Sequence, residues 1–246
     1  MDDRTKKNRT EMAIRKYAKG KSINRVKDVS LEILKSNHSD PIIRGELCEC
    51  LLVLMLEDFI KKNNLNDWII SKGLILKDLS NPNSPYYTEL DVTLFTPKRV
   101  YLFECKSYRG KKKLDDKCTL YVKSQDKWFK RVDVFSQHIK HYKALYRYIK
   151  AFRLKSDDEV KPFKIAMFDF SIEDVKDVRE EKYKRLMPVL NERTLLNLFE
   201  DYNSLPNQWD IKYVRKVVEK LESYKEGLTT RHLKYVTNLH SSDRDK

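Results

Sequence analysis

Residues 89–106 read ELDVTLFTPKRVYLFECK. Apolar side chains recur on both sides of a short Thr-Pro-Lys turn at residues 96–98, which is a pattern typical of a β-hairpin. The first strand is expected over residues 89–95 and the second over residues 99–106. The sequence therefore predicts two antiparallel strands joined by a tight connection.

Charged side chains interrupt both strands of this hairpin. With the two-residue period of a strand, Glu89, Asp91 and Thr93 are expected on one face of the first strand. Glu104 and Lys106 are expected on one face of the second. If the two faces coincide, two carboxylates and an ammonium group meet among apolar neighbours, where burial is costly unless they pair or bind a metal. The alternative is a solvent-facing polar side that holds a salt bridge.

A long apolar segment precedes the hairpin and predicts a buried helix. It begins at Pro41, is apolar on nearly every side and ends near Asn63. Its few charged positions are chiefly Glu46, Glu49 and Glu57. Strands are expected next over residues 67–71 and 74–77, and the Pro-, Asn- and Ser-rich residues 80–87 predict a loop.

Both ends of the chain are expected to extend this core with helices. Residues 1–40 are polar and basic, and their intermittent apolar positions predict an arm of two short helices. The main domain is expected over residues 41–200, with a helix from Leu186 to Tyr202 inside it. Residues 201–246 are expected to form a C-terminal helical extension, whose apolar stripe favours packing on the core over packing on a partner subunit.

The charge of the chain favours an anionic partner. The 246 residues carry a formal net charge of +14. Residues 107–155 alone contain 15 Lys and Arg against 4 Asp and Glu. Binding to a phosphate backbone selects such a local surplus, whereas a uniformly basic, solvated surface is the alternative.

Composition and cysteine usage exclude several classes of protein. A hydrophobic content of 40% argues against wholesale disorder. Apolar runs fall short of the roughly 20 residues that cross a bilayer, and the N-terminus lacks the apolar stretch of a signal peptide. We therefore expect a cytoplasmic protein without a membrane partner. The four cysteines form no zinc-finger pattern with the histidines, which favours reduced thiols.

A further helix is predicted over Ser136–Phe152, with three distinct faces. An apolar stripe, expected to pack on the sheet, contains Ile139, Tyr142, Tyr146 and Ile149. A basic stripe, expected to face phosphates, contains Lys140, Lys143, Arg147 and Lys150. Gln137 and His141 share the third face, and for His141 a packed or partly exposed ring is favoured over a catalytic one.

Five landmarks in this order resemble the nuclease-related domain (NERD) of the PD-(D/E)XK nuclease superfamily. They are Gly45-Glu46 at a helix start, Glu89–Val92 on a strand, Glu104-Cys105-Lys106 followed by Gly110, a tryptophan strand at residues 127–129 before Phe135-Ser136-Gln137, and the apolar strand of residues 163–168. The resemblance covers about residues 41–170. One departure is Leu90, which stands before Asp91 where the superfamily name calls for proline, a loss that many members share.

The resemblance implies an α/β fold of the restriction-endonuclease-like type, with a central mixed sheet flanked by helices. It implies a Mg²⁺-dependent endonuclease that hydrolyses phosphodiester bonds, in DNA more than in RNA. Asp91 and Glu104 would hold the ion together with the Cys105 backbone carbonyl, and Mn²⁺ would substitute. Glu46 would reach the ion directly or through water, or else serve only as a helix-start carboxylate.

The remaining implied roles belong to cationic and amide side chains. Lys106 would orient the attacking water, and Gln137 would aim its amide at the catalytic centre. The basic loop after the second hairpin strand would grip the nucleic-acid backbone through Arg109, Lys111, Lys112 and Lys113, together with the basic stripe. The alternative is a catalytically inactive module on the same fold that binds nucleic acid or docks a partner. The terminal helices leave open a homo-oligomer or a protein partner.

Overall fold

The computed structural model describes residues 3–35, 40–77, 87–151, 163–170 and 175–223. Its helices are α1 (Asp3–Ala18), α2 (Ile23–Lys35), α3 (Pro41–Lys62), α4 (Val134–Ala151), α5 (Glu181–Leu186) and α6 (residues 211–223), with short 3-10 helices at Leu195–Phe199 and Tyr202–Ser204. Its strands are β1 (Ile69–Lys77), β2 (Tyr87–Phe95), β3 (Val100–Cys105), β4 (Lys112–Leu114), β5 (Thr119–Ser124), β6 (Lys127–Asp133), β7 (Phe163–Phe168), β8 (Val175–Asp177) and β9 (Val189–Leu190). Within these ranges no helix combines the length and the apolarity needed to cross a membrane.

A five-stranded mixed sheet forms the centre of the fold, in the order β1-β2-β3-β7-β9. β1, β2 and β3 pair antiparallel, whereas β7 pairs in parallel with both β3 and β9. The predicted hairpin is confirmed, with Phe95 opposite Val100. Its turn is held by Thr96 Oγ1, which accepts hydrogen bonds from the N–H groups of Lys98 (3.3 Å) and Arg99 (3.0 Å). The α/β fold with a central mixed sheet flanked by helices is thus confirmed.

The buried helix α3 covers one face of this sheet. It starts at Pro41 because the Asp40 side chain accepts a hydrogen bond from the Ile42 N–H (2.8 Å). The first residue of a helix donates no intrahelical hydrogen bond, so the missing N–H of the proline costs nothing at this position. Its apolar residues pack against Val92, Leu94, Tyr101, Phe103 and Phe168 of the sheet. Val26 and Leu34 of α2 join the same cluster, so the described part of the basic arm packs onto α3.

Helices α4 and α6 cover the opposite face. Leu145, Tyr148 and Ile149 of α4 pack with Leu74, Leu76, Leu90 and Leu102 of the sheet. Val214, Val217, Val218 and Leu221 of α6 belong to the same cluster, which confirms that the last helix packs on the core. The predicted apolar stripe of α4 is partly confirmed, because Ile149 is buried in this cluster and half-buried Tyr142 packs against it. Ile139 and Tyr146 are only half-buried, and His138 and His141 are buried in addition.

A second sheet, in the order β6-β5-β4-β8, extends the fold. β5 and β6 form a hairpin whose turn residues Gln125 and Asp126 both have positive φ, 47° and 63°. Such a turn matches the twist of paired strands. Trp128 lies on β6, in the tryptophan strand expected from the sequence, which is an edge strand of this sheet.

Two expectations about secondary structure are wrong. The strands expected over residues 67–71 and 74–77 form a single strand, β1, in which Gly73 has a φ of 62°. The helix expected from Leu186 to Tyr202 is replaced by β9 and two 3-10 helices. Pro188 lacks an N–H and restrains the backbone there, and the Asn191 side chain accepts hydrogen bonds from the next turn instead. Most of the predicted 80–87 loop and residues 224–246 lie outside the described residues.

Candidate active site

The two strands of the hairpin separate where Asp91 and Glu104 lie. Their last paired residues are Val92 and Phe103, so Cys105 is not paired with the backbone of β2. The carboxylate of Asp91 takes that place, since its Oδ2 accepts a hydrogen bond from Cys105 N (2.8 Å). The end of the hairpin ladder thus positions Asp91 beside β3.

The inside–outside alternation of β2 shifts at Asp91. Leu90 packs in the cluster on the α4 side of the sheet, whereas Val92 packs in the cluster on the α3 side. The expectation that Glu89, Asp91 and Thr93 share one face is therefore wrong, because Glu89 and Thr93 lie on opposite faces. On β1, Gly73 lies between Lys72 and Leu74, whose register partners are Val92 and Leu90 on either side of Asp91. Gly73 has a positive φ, which accompanies this shift.

Glu104 is the centre of a buried polar network. The side chain is 1% exposed. Its Oε1 accepts hydrogen bonds from Lys106 Nζ and from Gln137 Nε2, the latter at 2.7 Å. Lys106 Nζ also donates to Gln137 Oε1 (3.4 Å), and His141 Nδ1 lies 3.2 Å from Glu104 Oε2. Strand β3 and helix α4 together assemble this network.

The two hairpin carboxylates have opposite electrostatic environments. Burial acts to raise the pKa of Glu104, but Lys106 and His141 outweigh it and lower the pKa to about 2. Burial and the charge of Glu104 raise the pKa of Asp91 to about 7, against the opposing effect of Lys106. One carboxylate is thus charged at neutral pH, and its neighbour lacks enough positive charge nearby. A cation between them would supply that charge.

Glu46 lies in a different group of contacts. It is 1% exposed, and its Oε1 accepts hydrogen bonds from Lys72 Nζ and from Cys50 Sγ (3.2 Å). Glu11 of α1 also contacts Lys72 (3.2 Å). The structure therefore brings Asp91, Glu104, Lys106 and Gln137 together, while Glu46 pairs with a lysine of β1.

The family follows from the order of these elements. The sequence model of the nuclease-related domain (NERD) matches residues 44–167, which are 124 of the 246 residues. This chain belongs to the nuclease-related domain family. No curated protein and no solved structure matches it significantly. The matched region of the NERD chain contains every residue of the Glu104 network.

Glu49 is a carboxylate of this NERD domain that sequence reasoning did not select. Burial and the charge of Asp91 raise the pKa of Glu49 well above its ordinary value, and Lys72 acts in the opposite direction. Glu46 and Glu49 are three residues apart on α3 and so lie on neighbouring positions of one helix side. Their spacing signals that both face the sheet, but not which one lies toward Asp91.

Two buried histidines complete the surroundings of Glu104. His138 is 1% exposed, and burial lowers its pKa to about 4, so the ring is neutral. His141 is 6% exposed, so its ring is packed, and its contact with Glu104 places it inside the candidate site. Ligand atoms of Glu104, His138 and His141 lie within 4.8 Å of one another, close enough to hold a metal ion.

The predicted phosphate-contacting cations divide by exposure. Lys111, Lys140 and Lys143 are exposed, and Arg109, Lys113 and Arg147 are half-buried. The prediction that Lys112 contacts phosphates is wrong. Lys112 is 0% exposed, and its Nζ donates hydrogen bonds to the two carboxylate oxygens of Asp169 at 2.9 and 2.8 Å. Strand alternation turns Lys112 inward between two outward neighbours. The side chain of Lys150 is outside the described residues.

The donors at the hairpin end suit a hard divalent ion. They are carboxylate oxygens, which Mg²⁺ prefers, and Glu104 Oε2 is buried with His141 Nδ1 at 3.2 Å but without an aligned hydrogen bond from the described residues. Asp91 uses one oxygen for Cys105 N, which leaves the other for a ligand. The backbone N–H of Cys105 donates its hydrogen bond to Asp91. The role of the Cys105 carbonyl as a metal ligand stays a prediction.

Proposed function

We propose that this NERD domain is a Mg²⁺-dependent nuclease that hydrolyses phosphodiester bonds of DNA. The observation that carries the proposal is the meeting of Asp91, Glu104 and Lys106 where β2 and β3 separate, with Gln137 bound to Glu104. Two carboxylates, a lysine and an amide at one buried point are expensive as a purely structural feature. They are the groups that phosphodiester hydrolysis needs.

Asp91 and Glu104 would hold the ion, with the Cys105 carbonyl as a further ligand and Mn²⁺ as a substitute. When bound, the ion neutralises charge on the phosphate and lowers the pKa of a bound water. On α3, Glu49 would help more than Glu46, because the charge of Asp91 raises the pKa of Glu49 whereas Glu46 is hydrogen-bonded to Lys72.

Lys106 acts on the attacking water and the scissile phosphate. Burial acts to lower its pKa, but Glu104 and Asp91 outweigh it and raise the pKa, so Lys106 is charged at neutral pH. A fixed ammonium group beside the phosphate orients the water and stabilises the negative charge that develops. Gln137 donates to Glu104 and accepts from Lys106, and so keeps both in place.

The proposal also specifies DNA as the substrate and endonuclease action as the mode of cleavage. Both rest on the family resemblance together with the +14 charge, which attracts either nucleic acid. RNA and exonuclease action are therefore separate arms of the experiment.

The experiment incubates the purified 246-residue chain with circular plasmid, linear duplex, single-stranded DNA and RNA, in Mg²⁺, Mn²⁺ or EDTA. We expect divalent-ion-dependent cleavage that includes the circular plasmid, and loss of cleavage in Glu104→Gln. Glu57→Gln, an exposed carboxylate of α3, is the matched control. Nucleic-acid binding without any cleavage would instead identify an inactive binding module.

A further inference from the structure

A basic groove begins at Lys106 and runs away from the Glu104 network. It has a volume of about 880 Å³ and lies between the start of α3, the loop after β3 and the end of β5. We call it the basic groove, and its lining includes Arg44, Lys106, Tyr108, Arg109, Lys123 and Arg131. Because Lys106 belongs to both, anything bound in the groove lies next to the proposed catalytic centre.

The charges of the basic groove all have one sign. Five of its lining residues are cationic, and the described lining contains no carboxylate. Arg44 is 7% exposed, and its Nε has no hydrogen-bond partner among the described residues. Burial and then the charge of Arg109 lower the pKa of Arg44, while the charge of Asp169 acts in the opposite direction, so Arg44 and Arg109 repel each other beside this groove. A polyanion would relieve that repulsion.

Aromatic rings stand beside these cations. Tyr108 lines the groove, and the Arg131 guanidinium lies 5.6 Å from its ring centroid. On β6, Trp128 is 44% exposed and Phe129 is 45% exposed. Their register partners on β5 are Lys123 and Val122, which both line the groove. Because side chains alternate along a strand and paired residues share a face, Trp128 lies on the Lys123 face of this hairpin and Phe129 on the Val122 face, each beside a residue that lines the groove.

We propose that the basic groove binds a short unpaired stretch of nucleic acid, with phosphates on its cations and a base stacked on Trp128 or Phe129. The inference rests on the proposed function and names its substrate class, a nucleic acid with a single-stranded segment. In a duplex the base faces are covered by neighbouring bases, whereas an unpaired base offers its face to an aromatic side chain. Sites of roughly 300–1,000 Å³ enclose ligands of drug size, which suits a few nucleotides and not a double helix.

The flanking residues favour a polyanion over a protein partner on the aromatic pair. Lys127 and Lys130 stand on either side of Trp128 and Phe129, and both are exposed. Lysines on an edge strand also oppose pairing with another strand. A second copy of the chain, itself basic, is therefore the less favourable occupant.

The test measures binding of the full chain in EDTA, so that no cleavage is needed. Fluorescence anisotropy compares a labelled single strand of about 12 nucleotides with its blunt duplex at one salt concentration. We expect the single strand to bind about tenfold more tightly. The variant Trp128→Ala/Phe129→Ala should lose about tenfold or more in single-strand affinity and little in duplex affinity, since only the single strand offers an unpaired base to stack. Leu186→Ala/Leu196→Ala, an exposed apolar pair elsewhere, is the matched control.

Tryptophan fluorescence gives a direct readout of stacking. Trp128 is exposed, while Trp68 and Trp209 are 6% and 9% exposed. Titration with the single strand should therefore quench mainly Trp128. In Trp128→Phe the quenching should disappear while most of the single-strand affinity remains, because a phenyl ring still stacks.

The cations are tested separately from the rings. Lys123→Gln/Arg131→Gln should weaken single-strand binding and reduce the slope of log affinity against log salt by about 0.7 per lost contact. Lys61→Gln/Lys62→Gln, at the far end of α3 from Arg44, is the matched control.

Three outcomes would overturn the inference. One is equal affinity for the single strand and the duplex, and another is unchanged single-strand binding in the aromatic variant. The third is that wild type elutes as a dimer in size-exclusion chromatography, whereas the aromatic variant elutes as a monomer and binds the single strand normally. This result would assign the rings to self-association. If the binding results hold but wild type never cleaves, the groove stands and the proposed nuclease function fails.

Discussion

Lys112 and Asp169 join the two sheets of this NERD domain through a fully buried ion pair. Lys112 Nζ lies 2.9 and 2.8 Å from the two carboxylate oxygens of Asp169, and both residues are 0% exposed. Lys112 begins β4 of the second sheet, and Asp169 directly follows β7 of the central sheet. The pair therefore fixes the loop between β3 and β4, which lines the basic groove.

Removing one partner of this pair should destabilise the protein strongly. Lys112→Met leaves the Asp169 carboxylate buried without its main cation, and we expect a loss of about 3–5 kcal/mol in the free energy of unfolding. Urea unfolding monitored by circular dichroism measures it. Lys111→Met, its exposed neighbour, should change stability by less than about 0.5 kcal/mol. Replacing both partners with apolar residues should recover much of the loss, and equal stability of the two single variants would contradict the role of the pair.

The Glu104 network should be needed for cleavage, and Lys106→Ala should also lower stability, because it leaves the buried Glu104 carboxylate without its main cation. Asp91→Ala, Glu104→Ala and Lys106→Ala are each expected to lower the cleavage rate by about 100-fold or more, because each removes a group that acts in the transition state. The checks are plasmid cleavage in Mg²⁺ and the circular dichroism spectrum of each variant. Undiminished cleavage by Glu104→Ala, or by wild type in excess EDTA, would refute this metal site.

Local patterns in the sequence were sufficient for much of the fold. The β2–β3 hairpin, α3 and the packing of α6 follow from alternation, from apolar periodicity and from a proline at a helix start, which act over a few residues. The same alternation placed Glu104 and Lys106 on one side of β3, and the structure has them in contact.

What could not be predicted depends on contacts between distant segments. The shift of side-chain faces at Asp91 accompanies the positive φ of Gly73 on another strand. The burial of Lys112 needs Asp169, 57 residues away. Glu46 and Glu49 are alike in sequence and both contact Lys72 of β1, but Cys50 donates to Glu46 whereas the charge of Asp91 acts on Glu49. Long-range pairing of this kind leaves no periodic signal in one sequence.

In metal-free protein, Asp91→Asn should raise thermal stability in a pH-dependent way. The pKa of Asp91 is about 7 in the folded protein against an ordinary value of 3.8. Between these values the folded state keeps a proton that the unfolded chain has released, so this group lowers stability as the pH rises from about 4 to about 7. Asparagine carries no charge and retains an acceptor for Cys105 N.

Differential scanning fluorimetry in EDTA measures this effect. The Tm of Asp91→Asn should exceed that of wild type at about pH 8 and match it near pH 4, with about 2–4 °C for each kcal/mol gained. Asp116→Asn, an exposed aspartate, should track wild type at every pH. Added Mg²⁺ should raise the Tm of wild type more than that of Asp91→Asn. A Tm difference that does not vary with pH would contradict the raised pKa.

The exposed lysines of α4 should bind the nucleic-acid backbone without reading its sequence. Lys140 and Lys143 are exposed on the helix that carries Gln137 and His141 inward to Glu104, so their charges lie on the outer side of the catalytic helix. Lys140→Gln/Lys143→Gln is expected to weaken duplex binding for all sequences alike. The slope of log affinity against log salt should fall by about 0.9 per lost contact, because each neutralised phosphate releases counterions.

Anisotropy across a salt series measures both quantities, with Lys61→Gln/Lys62→Gln as the control pair. A merely solvated helix face would leave affinity and slope unchanged, and the duplex contacts would then have to come from the loop that contains Arg109, Lys111 and Lys113.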